Sequence, residues 1–404
     1  MNTTYDVFKR NVSLQHQFGL EPFLLRRYQH AMTPAEIARQ FNVRGQLVAV
    51  TSLGSGNVND TYRAIFRTTS DEQQFVLQRI NRHVFPHPEK VMANMRAVTE
   101  YAHRRIRVEA EHADRIWQLP RVISIRGGQD YFRDPDTGDV WRALSMIASA
   151  YSHDKVETVE HAVEAGQVLG HFQRIISDFA VDQMEDTLPG FHIAPRYLAH
   201  FDEVVATESG RRFRDATAES RRLARFIEER RAFVPILEEA LARGDLKQRP
   251  IHGDPKITNI MIDEITGKGT AIVDLDTVKP GLIHYDFGDA ARSACNPAGE
   301  EPANLEDVYF DTDLFEGLVR GYFREAAPFL TAADRAYLYD CVRLITLELG
   351  MRFYTDYLEG NRYFKVKHDL QNLERARVQL KLCESIETRE GAVRRILGRY
   401  DMAS

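Results

Sequence analysis

Apolar and polar residues alternate through QLVAVTS, DTYRAIFRT and EQQFVLQRIN, and this period of two predicts three β-strands between Gln46 and Asn81. The period changes in PEKVMANMRAVTEYAHRR, where apolar residues at 91, 92, 95 and 98 predict an amphipathic helix from Pro88 to Arg105. RVISI, DYFRD and VWRALSMI predict further strands, with a turn at residues 135–138. Beyond Ser152 the helical period dominates, in VETVEHAVEAGQVLGHFQRIISDF, TAESRRLARFIEERRAFVPILEEALARG, LYDCVRLITLELGMRFYTDYLEG and NLERARVQLKLCESIETREGAVRRILGRY. The expected architecture is α+β in two lobes, a small mixed lobe over 46–147 and a large, mainly helical one over 148–404. Residues 1–45 read as an N-terminal extension ending in a short helix, which starts at Thr33 with Pro34 at its first position and Glu36 behind it. MIASAYS, Met146 to Ser152, is the connection between the lobes.

Composition narrows the picture slightly. With 43% apolar and 10% aromatic residues the chain can build a real core, and a net charge of -6 from 53 basic and 59 acidic residues argues against a surface dominated by nucleic-acid phosphates. Cys295, Cys341 and Cys383 are far apart and odd in number, which suggests neither a disulfide framework nor a zinc site. The N-terminus lacks the apolar core of a signal peptide, and no apolar run approaches the ~18 residues of a membrane helix. The expectation is a cytoplasmic protein with no nucleic-acid or membrane partner.

Candidate chemistry concentrates between Ile251 and Asp276. Asp254 and Asn259 stand five apart, the interval of the D-x-x-x-x-N loop used for phosphoryl transfer, and Lys256 follows two after the aspartate. Residues 259–263 and 270–274 flank the turn EITGKG and read as a hairpin. If paired without a bulge, Asn259 faces Asp274, and both project to one face beside Asp254 as hard oxygen ligands for Mg²⁺. The plainer reading is an ordinary turn with hairpin ends, but the joint pattern favours the chemistry. Asp276 is expected either as a second ligand or as support for the first.

Two glycines in Gly54, Ser55, Gly56 and Asn57 suit a strand–turn–strand covering nucleotide phosphates, although a plain hairpin explains them alone. Where a kinase strand carries its phosphate-pairing lysine, the candidates here are Gln78 and Arg79, which point to opposite faces. Met146 and Ile147 are the expected adenine contacts of the hinge. HYDFGDAAR contains the letters D-F-G, yet the metal aspartate is already supplied by Asp274. Asp286 and Asp289 are therefore expected to tie down the loop or cap a helix starting near Ala290.

HGDPKITNIMID, IVDLDTVKPG and HYDFGDAAR together resemble the aminoglycoside phosphotransferase and choline kinase group. Within it, the similarity from about residue 36 to 384, including GSGNVNDTY, VLQRIN and ELGMRFYTDYLEGNRYF, is to the bacterial N-acetylhexosamine 1-kinases. The resemblance implies a protein-kinase-like fold, ATP and Mg²⁺ as cofactors, and transfer to the anomeric hydroxyl of GlcNAc or GalNAc. It also implies glutamine at the lysine position and sugar contacts by Arg352, Tyr363 and, less directly, Asp356. The alternatives for these residues are an i,i+4 ion pair between Arg352 and Asp356 and a core position for Tyr363. HGD stands where some of these sugar kinases carry HND. Asp254 is expected as the base that orients the acceptor, and Lys256 as the charge-neutralising group. Alternatives are a kinase for another small alcohol, such as an aminoglycoside, another sugar or an amino alcohol, and a noncatalytic nucleotide-binding regulator or a scaffold.

Overall fold

The computed structural model describes residues 31–53, 58–109 and 115–401. Residues 1–30, in the expected N-terminal extension, and residues 54–57, expected to cover nucleotide phosphates, lie outside the described residues. The described chain opens with helix α1 (Pro34–Ala38), which Thr33 and Glu36 hold in a reciprocal capping box. The alternating segments form the strands their period requires: β1 (Gln46–Ser52), β2 (Asp60–Arg67) and β3 (Glu72–Arg79). With β4 (Val122–Ile123), β5 (Phe132–Arg133) and β6 (Val140–Ser145) they make one antiparallel sheet in the order β1-β2-β3-β6-β4, β5 pairing with β6. Ile37 and Phe41 cover one face of it, over Phe66, Leu77 and Trp141.

Helix α2 (Pro88–Glu109) joins this lobe to the larger one. Its buried Asn94 donates from Nδ2 to the carbonyls of Glu185 (2.8 Å) and Val278 (2.9 Å). The connection 146–149 leads into β7 (Ala150–Ser152), already part of the second lobe. There β8 (Arg249–Ile251), β9 (Ile260–Asp263), β10 (Gly269–Ile272) and β11 (Lys279–Gly281) form two small sheets, β10-β9-β7 and β11-β8.

The remainder is helical: α3 (Val159–Ile176), α4 (Ala194–Ala206), α5 (Glu208–Asp215), α6 (Ala218–Glu228) and α7 (Ile236–Arg243) precede the small sheets. Then follow α8 (Ile283–Ala294), α9 (Thr312–Ala326), α10 (Ala332–Ala336), α11 (Leu338–Leu358), α12 (Gln371–Thr388) and α13 (Glu390–Asp401). The charged run from Ala218 to Arg243, expected as a continuous helix, is two helices separated by a 3₁₀ turn at Arg231–Phe233, because Pro235 has no N–H to continue the ladder.

Helices α3 and α9 cross backbone to backbone. A Cβ at Gly166 would overlap the Leu318 carbonyl, and one at Gly321 would overlap that of Val163. Every residue of α8 is buried, so it runs through the centre of the large lobe.

Candidate active site

Strand β8 delivers the segment 252–259 to the cleft between the lobes. Gly253 has φ +88°, and a Cβ there would lie 2.7 Å from the Thr277 carbonyl oxygen, so neither conformation nor space admits a side chain. The loop is anchored from below. His252 N and Gly253 N donate to the two oxygens of Asp286 at 2.9 and 2.8 Å, and Gln173 donates to the same carboxylate at 3.1 Å. Asp286 thus ties down the loop, as expected for it. The expected helix start near Ala290 is corrected: Asp286 and Asp289 lie inside α8, which begins at Ile283. The D-F-G glycine serves packing, since a Cβ on Gly288 would sit 2.6 Å from the Cys341 carbonyl oxygen. His252 is buried and neutral, with Nδ1 accepting from Asp254 N (3.2 Å) and Nε2 donating to Val273 O (3.0 Å).

Asp254 projects half-buried from this loop. Its Oδ2 accepts from Lys256 Nζ at 2.7 Å and from Asn259 Nδ2 at 3.3 Å, and Asn259 Nδ2 also donates to the Asp254 carbonyl at 2.7 Å. Burial alone would raise the Asp254 carboxyl, but the charge and hydrogen bond of Lys256 override it and hold the group below the usual carboxylate range. Asp254 in turn raises Lys256 above the ordinary lysine range. The result is an ionised carboxylate with Oδ1 open.

The hairpin forms in a different register from the unbulged one. Ile260 pairs with Ile272 and Met261 with Ala271, and the register shifts at Thr270. Thr270 is drawn out because its hydroxyl donates to Ile116 O (2.5 Å) and its carbonyl accepts from Gln118 N (2.8 Å). Asn259 consequently lies opposite Val273, whose N–H donates to its carbonyl at 2.9 Å. Asp274 re-enters the cluster by another route, a left-handed backbone with φ 65°. It lies near enough to Asp254, Lys256 and Asp276 for their charges to act on it. Desolvation, then the negative charge of Asp276 and Asp254, pushes its carboxyl up to about 7.

No described group donates to the Asp274 carboxylate, and Asn259 Oδ1 is left free because Nδ2 is committed to Asp254. A carboxyl with no described donor and an uncommitted amide oxygen, both neighbours of Asp254, are hard-oxygen donors of the kind that fits Mg²⁺, an ion held by one or two protein oxygens plus phosphates. Among the described residues no three His, Cys, Asp or Glu side chains converge as a full metal cage. Asp276 is otherwise engaged: it ion-pairs with Arg142 and accepts from Asn59 Nδ2 at 2.6 Å.

The choice between the two strand candidates is resolved by direction. Arg79 reaches outward to Asp60 and Asp139 and is 45% exposed, the solvated surface charge considered for it. Gln78 faces inward, where its Oε1 accepts from Arg142 Nε at 2.9 Å and Nη2 at 2.7 Å. Met146 and Ile147 sit between β6 and β7, at the crossing from one lobe's sheet to the other's. Sequence reasoning missed Asn59, Arg142, His192 and Glu348. The available signal was charge within apolar surroundings, in VWRALS and ITLELGM.

On the same large lobe, α11 places Arg352 among three rings, its Cζ 5.1 Å from the centroid of Phe191, 4.9 Å from Tyr197 and 5.6 Å from Phe364. Its carboxylate partner is Glu348 at 3.6 Å, one turn back, and the considered pair with Asp356 does not form. Asp356 instead accepts from the backbone N–H groups of Arg362, Tyr363 and Phe364 and from Asn372, at 2.8 to 3.0 Å. It thereby folds the loop that carries Tyr363, which is 53% exposed and no core residue. Glu348 also receives His192 Nδ1 at 3.1 Å, and His192 Nε2 lies 2.7 Å from the Gly253 carbonyl oxygen, so the Arg352 helix and the Asp254 loop share one brace.

Residues 49–323 match the family model described as Phosphotransferase enzyme family. Solved structures with the same fold include an aminoglycoside phosphotransferase from Alicyclobacillus acidocaldarius, with TM-score 0.59 and 13% identity over 93% of this chain and 99% of that one. Another is a microcompartment-associated aminopropanol kinase, with TM-score 0.56 and 19% identity over 88% of this chain and 97% of that one. A third is a spectinomycin phosphotransferase in complex with ADP and its antibiotic, with TM-score 0.52 and 11% identity over 86% and 95%.

Proposed function

Since the chain belongs to the phosphotransferase enzyme family, whose model it matches over residues 49–323, we propose that it is an ATP- and Mg²⁺-dependent kinase of a small sugar. The acceptor in this reading is the anomeric 1-hydroxyl of an N-acetylhexosamine, GlcNAc or GalNAc. The observation that carries the phosphotransfer is the convergence of Asp254, Lys256, Asn259 and Asp274 at one point of the cleft.

The acceptor hydroxyl would approach Asp254 Oδ1, the oxygen with no described donor. Its oxygen bonds to the γ-phosphorus as the bond from that phosphorus to the ADP oxygen breaks, and its proton passes to the Asp254 carboxylate. Lys256, fixed on the other carboxylate oxygen, keeps Asp254 ionised and offsets negative charge at the transferring group. Asn259 and Asp274 would hold Mg²⁺, which when bound neutralises charge on the nucleotide phosphates. Gly54, Ser55 and Gly56 would cover those phosphates, and Met146 and Ile147 would flank the base.

A sugar is favoured over an amino alcohol by the occupant of the aromatic cage. Rings at this spacing suit an ammonium ligand, but Arg352 already fills them with its own cation. A second cation there would meet like charge, whereas sugar hydroxyl and acetamide oxygens would meet guanidinium donors. Tyr363, exposed on the loop that Asp356 shapes, would close over such a ligand.

The test is a panel of free hexosamines, N-acetylhexosamines, neutral sugars, aminoglycosides and amino alcohols assayed for ATP-dependent phosphorylation, with the product position read by NMR. Turnover restricted to amino alcohols would refute the sugar reading. Binding of MgATP without turnover of any acceptor would point to a nucleotide-binding regulator.

A further inference from the structure

Kinases of this architecture place a lysine on the third strand against the nucleotide phosphates, and this chain has Gln78 there. Gln78 is committed to its sheet neighbours, because Oε1 accepts twice from Arg142 and one Nε2 hydrogen goes to Thr61 Oγ1 at 3.1 Å. The three residues form one row across the sheet: Thr61 is paired with Gln78 on β2–β3, and Gln78 with Arg142 on β3–β6. Arg142 is 0% exposed, on a strand buried along most of its length. Its Nε and Nη2 are taken by Gln78 and Asp276, while Nη1 is buried with no hydrogen-bond partner among the described residues.

We propose that Arg142 is the phosphate-facing cation of this enzyme, with Gln78 as its tether and Asp276 as the counter-ion that connects it to the opposite lobe. The inference rests on the nucleotide-binding half of the reading above. Gln78 holds this guanidinium directly, and Thr61 on the neighbouring strand holds Gln78. Arg142 also lies near enough to Asp274 for its charge to act there. Asn59, immediately before β2, bonds the same Asp276 carboxylate through Nδ2 and receives Asn81 N at 2.9 Å on Oδ1. The segment entering β2 and the Asp276 loop are thus joined beside Arg142. A planar guanidinium held on two edges keeps its third edge in a fixed direction, which suits a phosphate oxygen better than a mobile ammonium would.

Nucleotide binding by the full-length protein tests this without requiring the acceptor. Arg142→Gln should weaken MgATP about 10- to 100-fold, the weight of a charge-assisted hydrogen bond, while adenosine binds as before. Moving the cation to the other strand, in Arg142→Gln combined with Gln78→Lys, should recover most of the loss. Unchanged MgATP affinity in Arg142→Gln, or equal losses for adenosine and MgATP, would overturn the assignment and leave the kinase reading standing. A wild-type protein that binds no MgATP would overturn both. If Arg142→Gln does not fold, Gln78→Glu gives the same readout: its carboxylate retains the arginine but cancels its charge, so MgATP should weaken with adenosine spared. An unaltered MgATP affinity in that variant would refute the proposal.

Discussion

At the scale of single residues, the site works by assigning each polar atom one partner and leaving a few atoms free. Asp254 Oδ2 is committed to Lys256 and Asn259, which leaves Oδ1 free for the base role proposed for it. Asp254→Asn should reduce turnover about 10²- to 10⁴-fold with MgATP affinity retained, in steady-state kinetics paired with nucleotide titration. Arg352→Ala should empty the aromatic cage, raising KM for the sugar about 10-fold or more and improving any amino alcohol, as competition assays between the two would show. Glu238 tests burial alone. Desolvation pushes its carboxyl up to about 7 from an ordinary 4.5, even though Tyr285 donates to it at 2.9 Å. The folded protein therefore holds the proton more tightly than the unfolded chain, and stability falls as pH rises from 4.5 toward 7, by about 3 kcal/mol at most. Glu238→Gln should remove that slope, with melting temperatures at pH 5 and pH 8 drawing together.

At the scale of elements, the period of two and the helical period located the strands and helices well, while packing and breaks escaped them. Pro235 marks the interruption of the charged helical run in plain view, yet the apolar spacing on either side reads as continuous. The hairpin register was illegible for a different reason: Thr270 bulges because Ile116 and Gln118, some 150 residues away in sequence, engage its hydroxyl and carbonyl. The glycines of α3 and α9 are likewise invisible as a pair until the helices cross. Gly321→Ala would stabilise an isolated helix by about 1 kcal/mol, but here the new methyl meets the Val163 carbonyl. We expect the sign to reverse, with a loss of about 1–3 kcal/mol in denaturant titration. The contrary result, a gain, would mean that the two helices separate at little cost.

At the scale of the whole molecule, the lobes are joined by more than the 146–149 connection. Glu109, at the end of α2, accepts from Arg174 at 2.7 and 2.8 Å and lies 3.2 Å from His171, both on α3. The hydrogen bonds of His171 and then Arg174 pull its carboxyl down to about 2 from 4.5. Here the sign is opposite to that of Glu238: the contribution is complete above pH 4.5 and disappears as pH falls toward 2, and solvent screening of this partly exposed group keeps it small. Glu109→Gln should therefore lower stability at pH 7 and flatten the acid limb of the unfolding profile. By itself the sequence determined the two-lobed α+β fold, the position of the D-x-x-x-x-N loop and the rejection of the D-F-G triplet, because local periods and short spacings carry that information along the chain. The tertiary structure alone decided that Arg142 lies beside Gln78, that Asp276 spans the lobes and that Arg352 fills its own cage. These are contacts between residues 64 to 217 positions apart or brought together on separate elements, and linear spacing carries no signal for them.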